Sequence, residues 1–272
     1  MKKGNKIILY LALFIGGLAF LYPFYWMIVA SISPEKEVSG LTFLPSGFTL
    51  SSYIQLFDKI PIGRSFINSI FVAGTITGGV LVFGSMVGYA LAKMTFKGRD
   101  VIFYMIVFTM TLPFQITLIP QYIIMVKFGW VDTYYALIIP YLMNALSIIM
   151  FRQYFKTIPQ DLIDAARIDG CGELRIIFGI LWPNAVPSLV TVGIITFMAS
   201  WNEVLWPLIV IRNENLMTMP QLITLFAVGG RAESQIGVKL ASATILALPI
   251  IIAYLFFQKY FIQSMASTGL KE

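Results

Sequence analysis

The sequence predicts an all-α, polytopic membrane protein with six transmembrane helices, both termini in the cytoplasm, and a cytoplasmic loop long enough to carry structure of its own. Three observations lead there. Of 272 residues, 58% are apolar and only 12% charged, against roughly 25% charged in soluble chains. The apolar residues gather into long runs bounded by charge, and a helix needs about 20 such residues to cross ~30 Å of hydrocarbon at 1.5 Å per residue. The cations are also unevenly placed. With the N-terminus inside, twelve of the 19 Lys and Arg residues fall on the cytoplasmic side and seven outside, the bias that orients spans in a plasma membrane.

In chain order, Lys2, Lys3 and Lys6 precede the first predicted span, 7–30, which exceeds the 7 to 15 residues of a signal-peptide core and reads as uncleaved. Ser31 and Ser33 leave a weaker cleavage-site reading. Tyr22, Tyr25 and Trp26 suit an interfacial aromatic belt. Residues 31–65, with Pro34, Pro45 and Gly47, form a turn-rich outer loop. Spans 66–92 and 101–126 follow, separated by KMTFKGRD. The first of these carries Gly74 with Gly78 and Gly84 with Gly88, two small-xxx-small pairs that let helices approach closely. The second holds Pro113 and Pro120 and is expected to kink. A short outer loop, 127–132, leads to a fourth span, 133–151. After the cytoplasmic loop 152–183 come a fifth span, 184–211, an outer loop, 212–239, and a sixth span, 240–258. The whole chain is expected to form a single transmembrane domain.

Within the cytoplasmic loop, residues 159–183 form a charged, glycine-broken island: Asp161, Asp164, Arg167, Asp169, Glu173 and Arg175 lie within its first seventeen positions. Pro159 opens a helix, Gln160 and Asp161 complement its positive end, Arg167 lies near its negative end and Gly170 stops it. Leu174, Ile177, Phe178 and Leu181 then share one face of a second helix. Pro183 and Pro187 mark where that surface helix ends and a spanning one begins. From the residues alone, the island is either a docking element or an interfacial hairpin joining two spans.

The run DAARIDG at 164–170, followed by ILWP at 180–183, resembles the EAA loop of importer-type ABC permeases. Asp164 stands where glutamate is usual and Trp182 where leucine is common. RSFINSI at 64–70, GYALAKMTFKGRD at 88–100, TLPFQITLIPQY at 111–122 and WNEVLWPLIV at 201–210 extend the resemblance to the shorter permease subunit of the carbohydrate, maltose-transporter-like branch. The tail QKYFIQSMASTGLKE is similar to the family's ending, with Ser264 and Thr268 where glycines are usual. The resemblance implies a coupling helix seated in a separate ATPase through Asp164, Ala165, Ala166, Asp169 and Gly170. It also implies alternating access, a second homologous permease subunit, two ATP-binding subunits holding ATP and Mg, and an extracytoplasmic sugar-binding protein. Thr218, Met219, Pro220 and Gln221, within TMPQLITLFAVGG at 218–230, become candidates to face that binding protein; otherwise the stretch is a short helix capping the bundle. The cargo implied is a sugar or oligosaccharide, with a phosphorylated polyol as the alternative.

The chain itself carries no GxxxxGK[ST], no HExxH and no histidine, so neither a phosphate cradle nor a metal site is expected, and no cofactor or metal in this chain. With no histidine and few ionisable residues in the spans, a membrane enzyme lacks a cluster of titratable groups at one depth. A self-sufficient secondary transporter would show internal repeats, and none is evident. The basic residues form no aromatic-interleaved face for nucleic acid. Lone Cys171 excludes an internal disulfide. Among the polar residues in spans, Asn68, Gln115, Gln121, Asn144 and Asn202 either line a path or hydrogen-bond between helices. Glu203 faces a cavity or a partner's cation.

Overall fold

The structure is a computed structural model that describes residues 3–38, 45–228 and 235–269. Among these residues the regular structure is entirely helical: α1 (Lys3–Ser31), α2 (Glu35–Val38), α3 (Ser51–Lys59), α4 (Ile62–Lys93), α5 (Arg99–Thr109), α6 (Phe114–Lys127), α7 (Tyr134–Ile138), α8 (Ala145–Thr157), α9 (Gln160–Ile168), α10 (Glu173–Arg175), α11 (Trp182–Asn184), α12 (Val186–Trp201), α13 (Leu205–Val210), α14 (Met219–Val228) and α15 (Ile236–Gly269). A π-helical stretch, Ile176–Leu181, joins α10 to α11.

Four helical stretches are long and apolar enough to cross a membrane: Lys6–Ser31, Ile62–Lys93, Tyr134–Thr157 and Ile236–Phe256. Two more qualify only as bent pairs, α5 with α6 at 102° and Glu173–Asn184 with α12 at 91°, so the described residues provide four to six crossings. The stretch 101–126 is therefore a sharp break where the sequence predicted a kinked helix. Pro113 causes it. This residue takes ψ 133 at the start of α6 and has no N–H to continue a helix, while Thr111 N–H and Leu112 N–H donate to Phe108 O and Thr109 O in a closing turn. Pro120, by contrast, lies inside α6. The stretch 184–211 is likewise divided, into α12 and α13.

The chain separates into two compact units. One comprises Met1–Arg64 with Leu222–Ile251, the other Ser65–Gln221 with Ile252–Glu272. In the first unit, α1 is apolar around its whole circumference, with none of its most apolar window buried, as expected of a lipid-facing span. Its end is tied to α3 by Ser31 and Tyr53, whose hydroxyls share a 2.8 Å bond. The Glu35 carboxylate accepts from Gly237 N–H at 3.0 Å, placing negative charge at the N-terminus of α15, where it is favourable.

In the second unit, α8 packs against α4, α5 and α12. Its approach to α4 is set by Gly84 and Gly88. A Cβ on Gly88 would come within 2.6 Å of Phe151 Cβ and 3.0 Å of the Arg152 backbone nitrogen, and one on Gly84 within 2.9 Å of Ser147 Oγ. Gly74 and Gly78 differ: a Cβ at either meets nothing within 4 Å. Of the two expected small-xxx-small pairs, only the second is used for close approach among the described residues. Arg152, buried beside this seam, donates to Leu91 O at 3.3 Å and lies 3.6 Å from the Phe103 ring centroid, a desolvated cation held by a carbonyl and a π-face.

Candidate functional site

Segment 160–184 is a helix stopped by glycine, as the sequence predicts, followed by a second helical stretch that differs from the expected one: Ile177 and Leu181 of the predicted apolar face are buried together with Ile176, while Leu174 and Phe178 are exposed, because residues 176–181 wind as a π-helix. Gly170 has φ +79, a left-handed turn that glycine adopts without a Cβ penalty, and Cys171 N–H returns to Ala166 O at 2.9 Å. On α9, Ile163 and Ala166 are buried, whereas Asp164, Ala165, Ile168 and Asp169 are exposed. Ala166 thus packs inward, and the outward face is carried by its neighbours. Lys93 Nζ donates to Ile158 O just before α9.

Charge ties this segment to α4. Glu173 accepts from Tyr89 OH and, at 3.0 Å, from Arg167 Nε; Arg167 also donates to Tyr89 OH at 3.2 Å and to Asp164 at 3.3 Å. The hydrogen bond from Tyr89 above all holds the Glu173 carboxyl below its ordinary value of 4.5; burial opposes it, and Arg167 adds to the lowering. One α-helical turn away on α4, Ser85 accepts from Trp182 Nε1 at 3.0 Å. Ser85 and Tyr89 therefore form one stripe of α4 that grips segment 160–184, beside the Gly84 and Gly88 stripe that admits α8.

Also within the second unit is a cavity of about 640 Å³, lined mainly by α4, α7, α8, α12 and α13. Val72 and Ile76 of α4 form part of its wall, and among its described lining residues Glu203 is the one charged side chain. Glu203 caps α13, its Oε1 accepting from Trp206 N–H at 3.0 Å. Asn144 caps α8, accepting from Ser147 N–H at 2.8 Å. Both thus combine a structural bond with a place on the cavity wall. The hydroxyls of Tyr141 and Thr218, two other lining residues, have no hydrogen-bond partner among the described residues. Gln115, Gln121 and Asn202 are not among the described lining: Gln115 is exposed, Gln121 holds a buried Nε2 with no partner among the described residues, and Asn202 donates back to Met198 O at 2.9 Å. Hence two of the six polar span residues put forward by the sequence, Asn144 and Glu203, come together on this wall.

At the other end of α4, Asn68 Nδ2 donates to Asn215 O and Met217 O at 2.9 and 3.0 Å, and its Oδ1 accepts from Tyr134 OH at 2.7 Å. Ser69 Oγ accepts from Met219 N–H at 2.7 Å, and Gln221 Nε2 donates to Ile211 O at 2.8 Å. Asp132, held at φ 63, accepts from Arg212 N–H and Asn213 N–H. Thr218, Met219, Pro220 and Gln221 are all buried in consequence, so they present no surface to a partner; the exposed stretch is Arg212–Asn215. Gly229 and Gly230, and the side chains of Ser264 and Thr268, lie outside the described residues.

Sequence reasoning missed Tyr89 and Ser85, whose partners lie 78 to 97 positions away. The available signal was the i, i+4 spacing of two polar groups in an apolar run.

Residues 80–267 match the family described as binding-protein-dependent transport system inner membrane component. The arabinooligosaccharides transport system permease protein of Halalkalibacterium halodurans is 37% identical over 281 aligned positions, covering all of both chains. Its Bacillus subtilis counterpart is 33% identical over 93% of this chain and 92% of its own. The sn-glycerol-3-phosphate transport system permease protein of Pectobacterium atrosepticum is 28% identical over 98% of each. Among solved structures, a chain of a bacterial ABC transporter involved in import of the acidic polysaccharide alginate superposes with a TM-score of 0.83 at 28% identity, over 96% of this chain and 99% of that one. The chain belongs to the family of binding-protein-dependent inner-membrane transport components, the multi-pass permease subunits of ABC importers whose ATP is hydrolysed by a separate subunit.

Proposed function

We propose that this permease imports a neutral sugar or oligosaccharide by alternating access. It would pair with a second, similar permease and two ATP-binding subunits and receive cargo from an extracytoplasmic binding protein. The observation that carries the cargo class is the end-to-end similarity to an arabinooligosaccharides permease at 37% identity. The cavity supports the same reading: no Lys or Arg occurs among its described lining residues, and an anionic cargo would be left without a counter-charge there. A phosphorylated polyol is less well served by that wall, and the glycerol-phosphate relative is more distant at 28%.

ATP and Mg belong to the partner subunits in this scheme. The exposed Asp164, Ala165 and Asp169, with the Gly170 turn, form the docking end, and inward-facing Ala166 sets how closely α9 lies on its own unit. Asn144 and Glu203 are proposed for the path, and Arg212–Asn215 for contact with the binding protein. The chain crosses six times, the third crossing bent between α5 and α6 and the fifth running through 184–211 beyond the docking segment, and both termini are cytoplasmic. Cys171, the one cysteine, tests this orientation directly. A membrane-impermeant maleimide is expected to label inside-out vesicles and spare right-side-out ones; the reverse pattern sinks the orientation. The function is tested by reconstituting the chain with its partners in liposomes. Cargo-loaded binding protein should stimulate ATP hydrolysis and uptake of a neutral oligosaccharide, and preference for a uronate or phosphorylated substrate would overturn the neutral-sugar reading.

A further inference from the structure

We propose that Tyr89, Glu173 and Arg167 form the mechanical link through which segment 160–184 moves α4, and that this link sets how much cargo is carried per ATP. The inference rests on the importer reading above and adds the residues through which force passes inside this chain. Three elements meet in one bonded group: Tyr89 from α4, Arg167 from α9 and Glu173 from the start of α10. Arg167 extends the group to Asp164 on the exposed face of α9. Trp182 supplies a second grip at Ser85, so α4 is held at two points on one stripe.

From that grip α4 runs unbroken to Ile62, and Val72 and Ile76 on it are part of the cavity wall. Helices shift as rigid elements, so a displacement at Tyr89 reaches Ile76 about 20 Å away at 1.5 Å per residue. The group is poorly suited to a purely stabilising role. The Arg167 and Glu173 side chains are 35% and 42% exposed, and ion pairs in that setting contribute little to stability. They do fix the relative position of three elements, joining Tyr89 of α4, Arg167 of α9 and Glu173 of α10 through one set of bonds.

The test uses the complete transporter in liposomes, with ATP hydrolysis and sugar uptake measured in the same vesicles. Tyr89→Phe keeps the buried ring and removes the hydroxyl. It is expected to lower the sugar moved per ATP by about fivefold, the low end of the range for coupling between sites, with the melting temperature of the purified complex unchanged. Arg167→Glu and Glu173→Arg alone should lose more, and together should regain part of the loss, because the reversed pair restores the bond. The link is overturned if the ratio is unchanged in Tyr89→Phe and both single reversals. It is equally overturned if every loss tracks a lowered melting temperature and the double reversal restores nothing. A wild-type complex whose ATPase ignores loaded binding protein overturns the importer reading instead, and the link with it.

Discussion

Asn68 and Tyr89 stand about 30 Å apart along α4 at 1.5 Å per residue, close to the hydrocarbon thickness of a bilayer, and each anchors a different segment of the second unit. At Tyr89 the bonds run between side chains, two of them ionised, and the partners are partly open to solvent. At Asn68 they run from a neutral, buried amide to backbone carbonyls and a hydroxyl. A side-chain pair in solvent re-forms after it parts. Removing the buried amide takes its donor from the Met217 carbonyl, and the cost is the desolvation of that group. The same helix is thus fastened rigidly at one end and adjustably at the other, the arrangement a lever needs when only one end is to follow a moving partner.

The largest expected effect breaks this contrast at its rigid end. Asn68→Leu removes the amide's bonds to Asn215 O, Met217 O and the Tyr134 hydroxyl and is expected to destabilise the protein by about 3 kcal/mol, read as a lowered midpoint of thermal unfolding in detergent. Arg167→Gln, at the adjustable end, is expected to cost less than about 1 kcal/mol. Equal losses in the two variants would remove the distinction. Next in size is the α4 to α8 seam. Gly88→Ala puts a methyl within 2.6 Å of Phe151 Cβ and 3.0 Å of backbone, an overpacking worth about 2 kcal/mol, whereas Gly78→Ala enters open space and leaves the melting midpoint where it is.

How far the sequence reached depends on whether the determinant was local. The Gly170 turn, the helix before it and the apolar runs follow from neighbouring residues and were legible. So was the family, because DAARIDG and WNEVLWPLIV are contiguous. What was not legible needed a contact partner. Nothing in the sequence distinguishes Gly74 with Gly78 from Gly84 with Gly88, since only the second pair meets α8. Thr218 to Gln221 became binding-protein candidates through the resemblance, with a short capping helix as the alternative; the stretch opens α14, and Ser69 and Ile211 draw it inward through Met219 N–H and Gln221 Nε2. Asn144 and Glu203 were legible as polar residues in apolar surroundings; that both cap helices on the cavity wall was not. Pro113 and Pro120 are alike in sequence context, but only Pro113 ends a helix.

The smallest effect sharpens the adjustable end. The folded protein holds Glu173 below its ordinary value of 4.5, first through Tyr89 and then through Arg167, so the ionised carboxylate is favoured by folding. A lowered value contributes stability that is fully present above the ordinary value and is lost as pH falls from there through the folded one. The contribution is therefore complete at pH 7 and declines below about pH 4.5. With the side chain 42% exposed, its size is under about 1 kcal/mol after solvent screening. Other carboxylates titrate in the same window, and Glu173→Gln separates them, since the amide oxygen still accepts from Tyr89 but no longer titrates. The drop in unfolding midpoint between pH 7 and pH 4 should be smaller in Glu173→Gln than in the wild type. An identical drop would mean that the carboxylate gains nothing from its two partners, and the adjustable end would then be held by the remaining bonds of Trp182 to Ser85, Arg167 to Tyr89 and Lys93 to Ile158.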